Sequence, residues 1–452
     1  MNKKTKELAE LNVARLMLKF FIPAFIGVFV NALYNIVDRI FIGQGVGSMA
    51  LSGISVIFPV MLIVMGFGML IGIGAGVLVS INMGKRDMNK AEKVLGSSFL
   101  FMLLVSVLIT AIGFAIKGPL LQSFGATAET IEYANDYLNI ILAGTVFQVV
   151  GFSLNNIIRA EGNARIAMYS MLISAGTNLI LDPIFIFGFD MGVKGAAYAT
   201  VISMIVLSVW VLLHFRSSKS IVKLKPENIR FDRKILFEIT AIGMAPFVMQ
   251  IANSFVQGLL NTKLIAFGGD LAVGAMGIVN SVATMIVMAI VAINMASQPI
   301  ISFNYGAKMF SRVKDSLRIA IISATVIAIL AFVLVETLPG VIVKLFNSSD
   351  EGLLIFGKDG LQLGLLALPF IGFQVVAGNF FQSIGKARIA VFLTLLRQVI
   401  ILIPLLFILP NYLGLQGIWI SMPIADSCSA FVVVFILINQ WKKLNNLVEA
   451  HP

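Results

Sequence analysis

Three aspartates stand inside long apolar stretches of the sequence, where a charged side chain needs a chemical reason. They are Asp38, Asp182 and Asp426. A carboxylate inside a membrane costs about 2.5–3.5 kcal/mol on insertion scales, and such groups usually line a cavity, an ion path or a proton relay. Carboxylate oxygens bind Na⁺, and two buried carboxylates favour a shared proton because like charges repel. The aspartates therefore indicate cation chemistry within a bilayer.

Asp38 and Asp182 have polar companions at spacings that would let them act together. Asn178 precedes Asp182 by one helical turn, and Thr200 lies at a comparable depth in the next apolar stretch. At about 1.5 Å per helical residue, both aspartates fall in the outer half of the bilayer. These four residues predict one pocket for a cation, and their oxygens suit either Na⁺ or H⁺.

The third aspartate and the two histidines carry weaker signals. Asp426 lies near the middle of the last apolar stretch, and Arg397 of the preceding stretch could reach it. A structural ion pair and a substrate contact are both open for Asp426. His214 and His451 lie at a cytoplasmic helix end and in the tail, so we expect both to be solvated.

The composition places the chain in a membrane. Of its 452 residues, 59% are hydrophobic and 12% are charged, and the mean hydropathy is +0.98. Soluble proteins carry about a quarter charged residues, so these charges are too few for a water-facing surface. A disordered chain, a secreted disulfide scaffold and a nucleic-acid binder are excluded, and the net charge of +11 indicates basic cytoplasmic loops. One cysteine and two histidines cannot form a zinc site.

The apolar stretches are long enough to cross a bilayer as helices. A hydrocarbon core of about 30 Å needs about 20 apolar residues per helix, and alternating segments of the β-barrel type are absent from the sequence. We predict twelve transmembrane helices. Their approximate bounds are 20–42, 51–82, 94–116, 132–158, 166–188, 193–214, 236–267, 271–303, 317–338, 360–383, 389–409 and 415–440.

The basic residues predict the orientation of these helices. Most of the 33 lysines and arginines fall in the two terminal segments and in every second loop, above all in the connector 215–235. Because basic loops stay on the cytoplasmic side, both termini are expected in the cytoplasm. We therefore expect a multi-pass protein of the cell membrane.

The sequence repeats itself at an offset of about 222 residues. Gly162–Ala167 (GNARIA) recurs as Gly385–Ala390 (GKARIA), and Pro23 recurs as Pro246. Each half holds an even number of predicted helices, so both halves begin on the same side of the membrane and the repeat is parallel. Two bundles related by an axis along the membrane normal follow from this arrangement.

The repeat predicts an all-α integral membrane protein with two pseudo-symmetric six-helix bundles. The N-lobe would comprise residues 1–214, the cytoplasmic linker residues 215–235 and the C-lobe residues 236–452. Folds of this kind belong to transporters that bind substrate at the repeat interface. The sequence has no Walker A pattern, so an ion gradient or the gradient of the substrate must drive transport. The spans hold no constellation typical of an enzyme, and we expect no cofactor besides a coupling H⁺ or Na⁺.

Four segments resemble the signatures of one transporter family. They are Tyr34–Gly43 (YNIVDRIFIG), Arg159–Asn163 (RAEGN), Asn178–Phe189 (NLILDPIFIFGF) and Gly195–Thr200 (GAAYAT). Together with the twelve-helix layout, they make the chain similar to the multidrug and toxic compound extrusion (MATE) family, in its prokaryotic branch with an N-lobe ion site. The resemblance implies an antiporter that expels lipophilic and cationic compounds in exchange for H⁺ or Na⁺.

The resemblance also implies roles for individual residues. The positions that would couple the cation are Asp38, Asn178, Asp182 and Thr200. The bending proline of the first helix falls on Pro23, and a tyrosine and an asparagine of the fourth helix fall on Tyr137 and Asn155. Those two residues are too far apart along one helix to share a small pocket. We expect Tyr137 near the ion site and Asn155 in the substrate cavity.

The C-lobe departs from other branches of the family, which carry acids in helices 7 and 10. Here these helices offer amides, among them Gln257 and Asn379, and we expect both to line the substrate cavity together with Asp426. The expected partners are small lipophilic or cationic substrates and membrane lipid, with the protein acting as a monomer. The alternative is a flippase for a lipid-linked saccharide, which would need more cavity cations than Arg39 and Arg397 provide.

Overall fold

The computed structural model describes residues 3–346 and 351–450, and these residues are helical almost throughout. The α-helices are α1 Lys3–Glu10, α2 Val13–Gly45, α3 Ser48–Gly84, α4 Met88–Ser123, α5 Ile131–Ala160, α6 Ala164–Pro183, α7 Gly192–Arg216, α8 Arg233–Gly306, α9 Phe310–Thr337, α10 Pro339–Phe346, α11 Glu351–Gly364, α12 Leu368–Ser383, α13 Ala387–Leu395 and α14 Ile403–Ala450. Two π-helical segments, Ile184–Gly188 and Leu396–Leu402, continue α6 and α13. No strand occurs in the described ranges, which confirms the all-helical prediction.

The helices account for about twelve membrane spans. Ten ranges among the described residues are long and apolar enough to cross a membrane, and α11 and α12 form a further span bent by 51°. One of the ten, Ala387–Ala450, is interrupted at Gly414, whose φ of 57° leaves the helical region. The predicted spans 389–409 and 415–440 lie on the two sides of this break. Gly269, with a φ of 64°, separates the two spans of α8 in the same manner.

Several helices extend beyond the predicted spans into polar sequence. α2 begins at Val13, seven residues before the apolar stretch, and the short helix α1 precedes it. α4 begins at Met88, where the Asp87 side chain accepts a hydrogen bond of 2.9 Å from the Lys90 backbone N–H and caps the helix. Hydropathy marks only the hydrocarbon-facing part of a helix, whereas backbone hydrogen bonding continues through its polar ends.

The chain forms two compact units. The first contains the residues up to Leu11 and Ile22–Phe247, and the second contains Asn12–Phe21 and the residues from Val248 onwards. The predicted linker 215–235 and the start of α8 therefore lie within the first unit.

Glycines explain why the start of α8 packs against α3 in the first unit. A Cβ on Gly74 would come within 2.2 Å of the Ile239 carbonyl oxygen, and one on Gly243 within 1.8 Å of the Leu70 carbonyl oxygen. Only a residue without a side chain lets two helix backbones approach this closely. The two helices are thus in backbone contact at both glycines.

α5 is the central helix of the first unit, in which it packs against α3, α4, α6 and α7. At Gly72 of α3 an added Cβ would lie 2.6 Å from the Ser153 Cα, and the Ser153 hydroxyl donates to the Gly68 carbonyl at 2.9 Å. At Gly144 an added Cβ would meet Val201 of α7 at 2.6 Å. This close packing fixes the helices around α5 and thereby places the side chains that they project toward it.

The core of the second unit gathers around Trp419, which is fully buried with Leu361, Val279 and other aliphatic residues of α8, α11 and α14. α9 and α12 approach closely at Gly372, where an added Cβ would lie 2.5 Å from the Ala324 carbonyl oxygen. The two units therefore use the same device, glycine at helix contacts, but surround different polar groups.

Candidate functional site

The five residues predicted to couple a cation come together in the first unit. Asp38 is on α2, Tyr137 on α5, Asn178 and Asp182 on α6, and Thr200 on α7. The Asn178 amide nitrogen lies 3.2 Å from the Asp182 Oδ1 and 3.5 Å from the Thr200 hydroxyl. Asp38 and Asp182 interact through their carboxyl groups, and the Tyr137 hydroxyl interacts with Thr200. We call these five residues the N-lobe cluster.

Four residues of the N-lobe cluster are buried, Asp38 is half-buried, and the cluster is rich in acceptors that have no donor. Asp182, Asn178 and Tyr137 are at most 2% exposed, and Thr200 is 7% exposed. Within the described residues, Asp38 Oδ1, Asn178 Oδ1 and Asp182 Oδ2 are buried and have no hydrogen-bond partner. A buried oxygen without a donor is costly, and three of them close together fit a bound Na⁺ or a shared proton.

In the part of the chain that the structure describes, no lysine or arginine forms a salt bridge with the N-lobe cluster, although Arg39 acts on the Asp38 charge through space. Arg39 follows Asp38 in sequence, but its guanidinium lies over the Phe58 ring at 5.3 Å from the centroid, because adjacent helix positions do not face each other. Among the described residues, no group of three or more acids, histidines or cysteines suits a divalent metal site. The donor set of two carboxylates, an amide and a hydroxyl instead suits a monovalent ion.

Local sequence explains how α6 presents its two polar residues. Asn178 and Asp182 are four residues apart and so share one face of the helix. Pro183 cannot donate a backbone hydrogen bond, and the chain continues as the π-helical segment Ile184–Gly188. Glycines hold this segment from two sides: an added Cβ would lie 2.4 Å from Ile186 at Gly45, and 2.9 Å from the Phe185 backbone at Gly195. The segment is thereby packed between α2 and α7, the helices that carry Asp38 and Thr200.

Tyr34, which was not predicted as a site residue, lies beside the N-lobe cluster. Tyr34 lies one helical turn before Asp38 on α2 and interacts with Asp38, Asp182 and two asparagines of its own helix. The signal was available, because a spacing of four residues places Tyr34 and Asp38 on one helix face.

Pro23 lies inside α2, which runs as one helix from Val13 to Gly45. Pro23 itself is buried, and its ring removes one backbone hydrogen bond from the helix. The hinge expected at Pro23 stays a prediction.

The residues predicted for the substrate cavity have separate surroundings. Asn155 is 4% exposed, and its amide nitrogen donates to the Ala167 carbonyl at 2.9 Å and to the Ser170 hydroxyl at 2.6 Å. Its carbonyl accepts a hydrogen bond of 2.9 Å from Arg159. The amide of Asn155 therefore has both N–H donors engaged within the first unit.

Gln257, Asn379 and Asp426 belong to the second unit. Gln257 is exposed and lies 3.3 Å from Asn261 and 3.4 Å from Asn280, and the Asn379 amide nitrogen lies 3.4 Å from the Ser297 hydroxyl. Asp426 is 3% exposed and accepts a hydrogen bond from Arg397 Nε. Of the two roles that the sequence left open for Asp426, the ion pair with Arg397 is thus present in the structure.

His214 contradicts its expected solvation, because the structure buries it to 6% exposure beside Glu161. Its Nε2 lies 2.5 Å from the Glu161 Oε1. A histidine near a helix end is solvated only when no loop covers it, and here the linker folds over this site. His451 lies outside the described residues.

Glu161 anchors the linker to the first unit, a role that its position in a motif does not reveal. Its side chain is fully buried and accepts hydrogen bonds from the Ser220 hydroxyl at 3.0 Å and from the backbone N–H groups of Ile221 and Val222 at 3.0 and 3.2 Å. Asn163 donates to the other carboxylate oxygen. These donors satisfy both oxygens of the Glu161 side chain and fix the start of the linker.

A second acid holds the linker further along. Glu92 of α4 forms a salt bridge of 2.7 Å with Lys225 and accepts a hydrogen bond from the Lys223 backbone at 3.4 Å. Hydrogen bonding to Glu92, reinforced by its charge, raises the pKa of the Lys225 amino group. The linker therefore contacts α4 as well as the α5–α6 loop.

These observations define a multi-pass membrane protein of two repeated helical bundles, one of which holds a buried polar cluster suited to a monovalent cation. The class is that of a membrane transporter. The comparisons with known proteins identify its family. The MatE family model matches the chain twice, over residues 23–184 and 245–408, and the chain belongs to this family. The double match also agrees with the internal repeat.

Known relatives and solved structures both align with nearly the whole chain. The multidrug export protein MepA of Staphylococcus aureus strain MRSA252 is 30% identical over 94% of this chain and 93% of its own length. The solved structure of the MATE multidrug transporter DinF-BH is 38% identical, with a TM-score of 0.88 over 94% of this chain and 95% of that one. A MATE crystal structure in the bent conformation is 26% identical, with a TM-score of 0.92 over 100% of this chain and 99% of that one.

Proposed function

We propose that this protein is a secondary active antiporter that exports lipophilic and cationic compounds in exchange for H⁺ or Na⁺ by alternating access. The observation that carries the proposal is the N-lobe cluster, in which two carboxylates and an amide present three buried oxygens without donors. Family membership supports export of drug-like compounds. The buried acceptors support a coupling cation.

The cation acts by joining α2 to α6. Asp38 lies on α2, whereas Asp182 and its amide partner Asn178 lie on α6. Two close carboxylates repel each other when ionised, and a proton or Na⁺ between them turns repulsion into attraction. Binding can drive transport only when the cation prefers one conformation over the other. The position of α2 relative to α6 supplies that preference, and Pro23 gives α2 a point at which it can bend.

On the substrate side, Gln257, Asn379 and Asp426 are the proposed contacts. Gln257 and Asn379 carry amides whose hydrogen bonds within the protein are long, at 3.3–3.4 Å. Both amides can therefore still form hydrogen bonds with a substrate. Asn155, whose amide hydrogens are engaged, can contribute to such a cavity only after α5 and α6 separate. We also propose that a single chain acts in the cell membrane with both termini in the cytoplasm, as the basic loops indicate.

Transport by purified protein in liposomes tests the proposal. The liposomes are loaded with a cationic dye, and a pH or Na⁺ gradient is applied to the wild type and to Asp182→Asn. We expect gradient-driven dye movement in the wild type and movement at the no-gradient level in the variant, because an amide can neither ionise nor take up the coupling proton. The ion whose gradient drives the dye identifies the coupling ion.

A matched control is available on α5. Asp136 carries the same side chain but forms a partly exposed salt bridge of 3.3 Å with Lys194, so Asp136→Asn should keep gradient-driven movement. Wild-type rates in Asp182→Asn would refute coupling at the N-lobe cluster. A wild type that moves no dye under either gradient would refute drug antiport itself.

A further inference from the structure

A second charged pair lies in the membrane-spanning part of the second unit. Arg397 is on the π-helical segment Leu396–Leu402, and its Nε donates to the Asp426 Oδ1 of α14. The side chain of Asp426 is 4% exposed and that of Arg397 is 27% exposed. Charges in a membrane interior are costly even in pairs, and they usually mark a functional site.

The internal repeat shows that the fold does not need an ion pair at this place. At the repeat offsets of 223 residues for this helix and 222 for the last one, the N-lobe counterparts of Arg397 and Asp426 are Ser174 and Met204. Ser174 donates only to a backbone carbonyl, that of Ser203, at 3.0 Å. The same helix positions therefore pack with small or apolar side chains in one half of the protein, so packing alone does not explain the pair.

The guanidinium of Arg397 has unused hydrogen-bonding capacity. Of the five N–H donors of an arginine, the Nε donor is the one engaged by the described part of the chain. The Arg397 side chain as a whole is 27% exposed, so packing does not close it off completely. A donor group at membrane depth needs an acceptor from water or from a ligand. Asp426 thus holds the guanidinium at Nε, and the four other N–H donors of Arg397 have no partner among the described residues.

Neutral amides line one face of α8, which the residue after Arg397 contacts. Gln398, the neighbour of Arg397, donates to the Asn253 side chain at 2.8 Å. Asn253, Gln257 and Asn261 follow at intervals of four residues and so form one face of α8. Polar residues in a transmembrane helix indicate a water-accessible surface rather than lipid. The amides accept and donate equally, so Arg397 is the group here that selects by charge.

We propose that Arg397 is a specificity-determining residue that receives a carboxylate, or another strong acceptor group, of a lipophilic substrate. The inference rests on the proposed transport function and names the substrate class that the second unit favours. Asp426 orients the guanidinium and offsets its charge, so the subsite remains neutral when empty. A carboxylate then binds through charge-assisted hydrogen bonds to the terminal nitrogens.

Equilibrium dye binding to the purified full chain tests this assignment. The probes are a rhodamine with a free benzoate and the ethyl ester of the same dye, which differ at the group that Arg397 would meet. The readout is the ratio of the two dissociation constants, from fluorescence anisotropy. We expect the wild type to favour the free acid by about tenfold, the size of one charge-assisted interaction.

Three variants should move this ratio in different directions. Asp426→Asn frees the guanidinium and should raise the preference for the acid. The double variant Arg397→Gln with Asp426→Asn, which keeps the subsite neutral, should bind both dyes alike. Arg397→Gln alone leaves a carboxylate and should favour the ester. Arg39→Gln, which removes the other intramembrane guanidinium, should leave the ratio unchanged.

An unchanged ratio in the double variant would overturn the assignment, as would a loss of both dyes together in a variant that remains folded and monodisperse. Either result would leave the antiport proposal intact, because gradient-driven ester transport is measured separately. A wild type that binds neither dye would overturn both proposals.

Discussion

The two lobes treat charge in the membrane in opposite ways. The N-lobe cluster holds two carboxylates and buried acceptors without a donor, an arrangement that favours a cation from outside. In the C-lobe, Asp426 already has the guanidinium of Arg397 as its partner. The carboxylates of the N-lobe cluster have no salt-bridge partner among the described residues, whereas the carboxylate of Asp426 is paired with a guanidinium. A repeated fold can thus carry unpaired buried acceptors in one half and a charged pair in the other.

The repeat makes this difference specific to individual positions. The C-lobe counterparts of Asn178, Asp182 and Thr200 are Ile401, Leu405 and Met422. None of these three can bind an ion. The helices are equivalent in sequence order, but these three positions of the cluster carry apolar side chains in the C-lobe.

Giving the N-lobe a cation of its own should have the largest effect. Asn178→Lys would place an ammonium beside Asp182, whose Oδ1 lies 3.2 Å from the present amide nitrogen. One of the two carboxylates would then have a permanent cationic partner, as Asp426 has in Arg397, and the coupling ion would have only one carboxylate charge left to neutralise. We expect the stimulation of dye transport by an ion gradient to fall by about a hundredfold, the upper range of coupling between sites. Transport in liposomes with and without the gradient measures this.

Asn178→Gln serves as the companion variant, since it keeps a neutral amide in the cluster. It should retain most of the response to the gradient. If Asn178→Lys kept the response as well, the unpaired carboxylates of the N-lobe cluster would not be what couples the gradient to transport.

The anchor of the linker offers a second contrast. Glu161 accepts hydrogen bonds from the linker, whereas its C-lobe counterpart is the buried Ile384. Glu161→Ala would leave several buried donors without an acceptor and should destabilise docking of the linker by about 3 kcal/mol. The rate of tryptic cleavage at Lys219 and Lys223 reports this opening.

Glu92→Ala removes the other acid that holds the linker. Because its salt bridge with Lys225 is partly exposed, the loss of protection should be clearly smaller than in Glu161→Ala. Equal protection from trypsin in the wild type and in Glu161→Ala would show that Glu161 does not hold the linker.

Replacing the charged pair by apolar residues should have the smallest effect. Arg397→Met with Asp426→Leu should change the stability of the protein by no more than about 1 kcal/mol, because an apolar pair of similar volume needs no desolvation. Asp426→Leu alone leaves an unpaired guanidinium and should cost about 3 kcal/mol. Thermal unfolding in one detergent compares the three proteins, and a double variant as unstable as the single one would assign the pair to the fold.

Much of the architecture could be read from the sequence, because hydropathy and spacing are local quantities. The apolar stretches predicted the helices, and the two copies of GxARIA predicted the repeat that the family model matches twice. Asn178 and Asp182 could be placed on one face of a helix because they are four residues apart. Their closeness to Asp38 and Thr200 was inferred from equal depth, and the structure brings these residues together.

The sequence by itself therefore determined the class of the protein, its helices, its repeat and the chemical type of its candidate site. Only the tertiary structure decided which polar groups are satisfied. It gave the Asn155 amide three partners, covered His214 with the linker, and paired Asp426 with Arg397. The reason is physical: burial and hydrogen bonding depend on which helices and loops meet across many residues. Such long-range contacts have no period in the sequence.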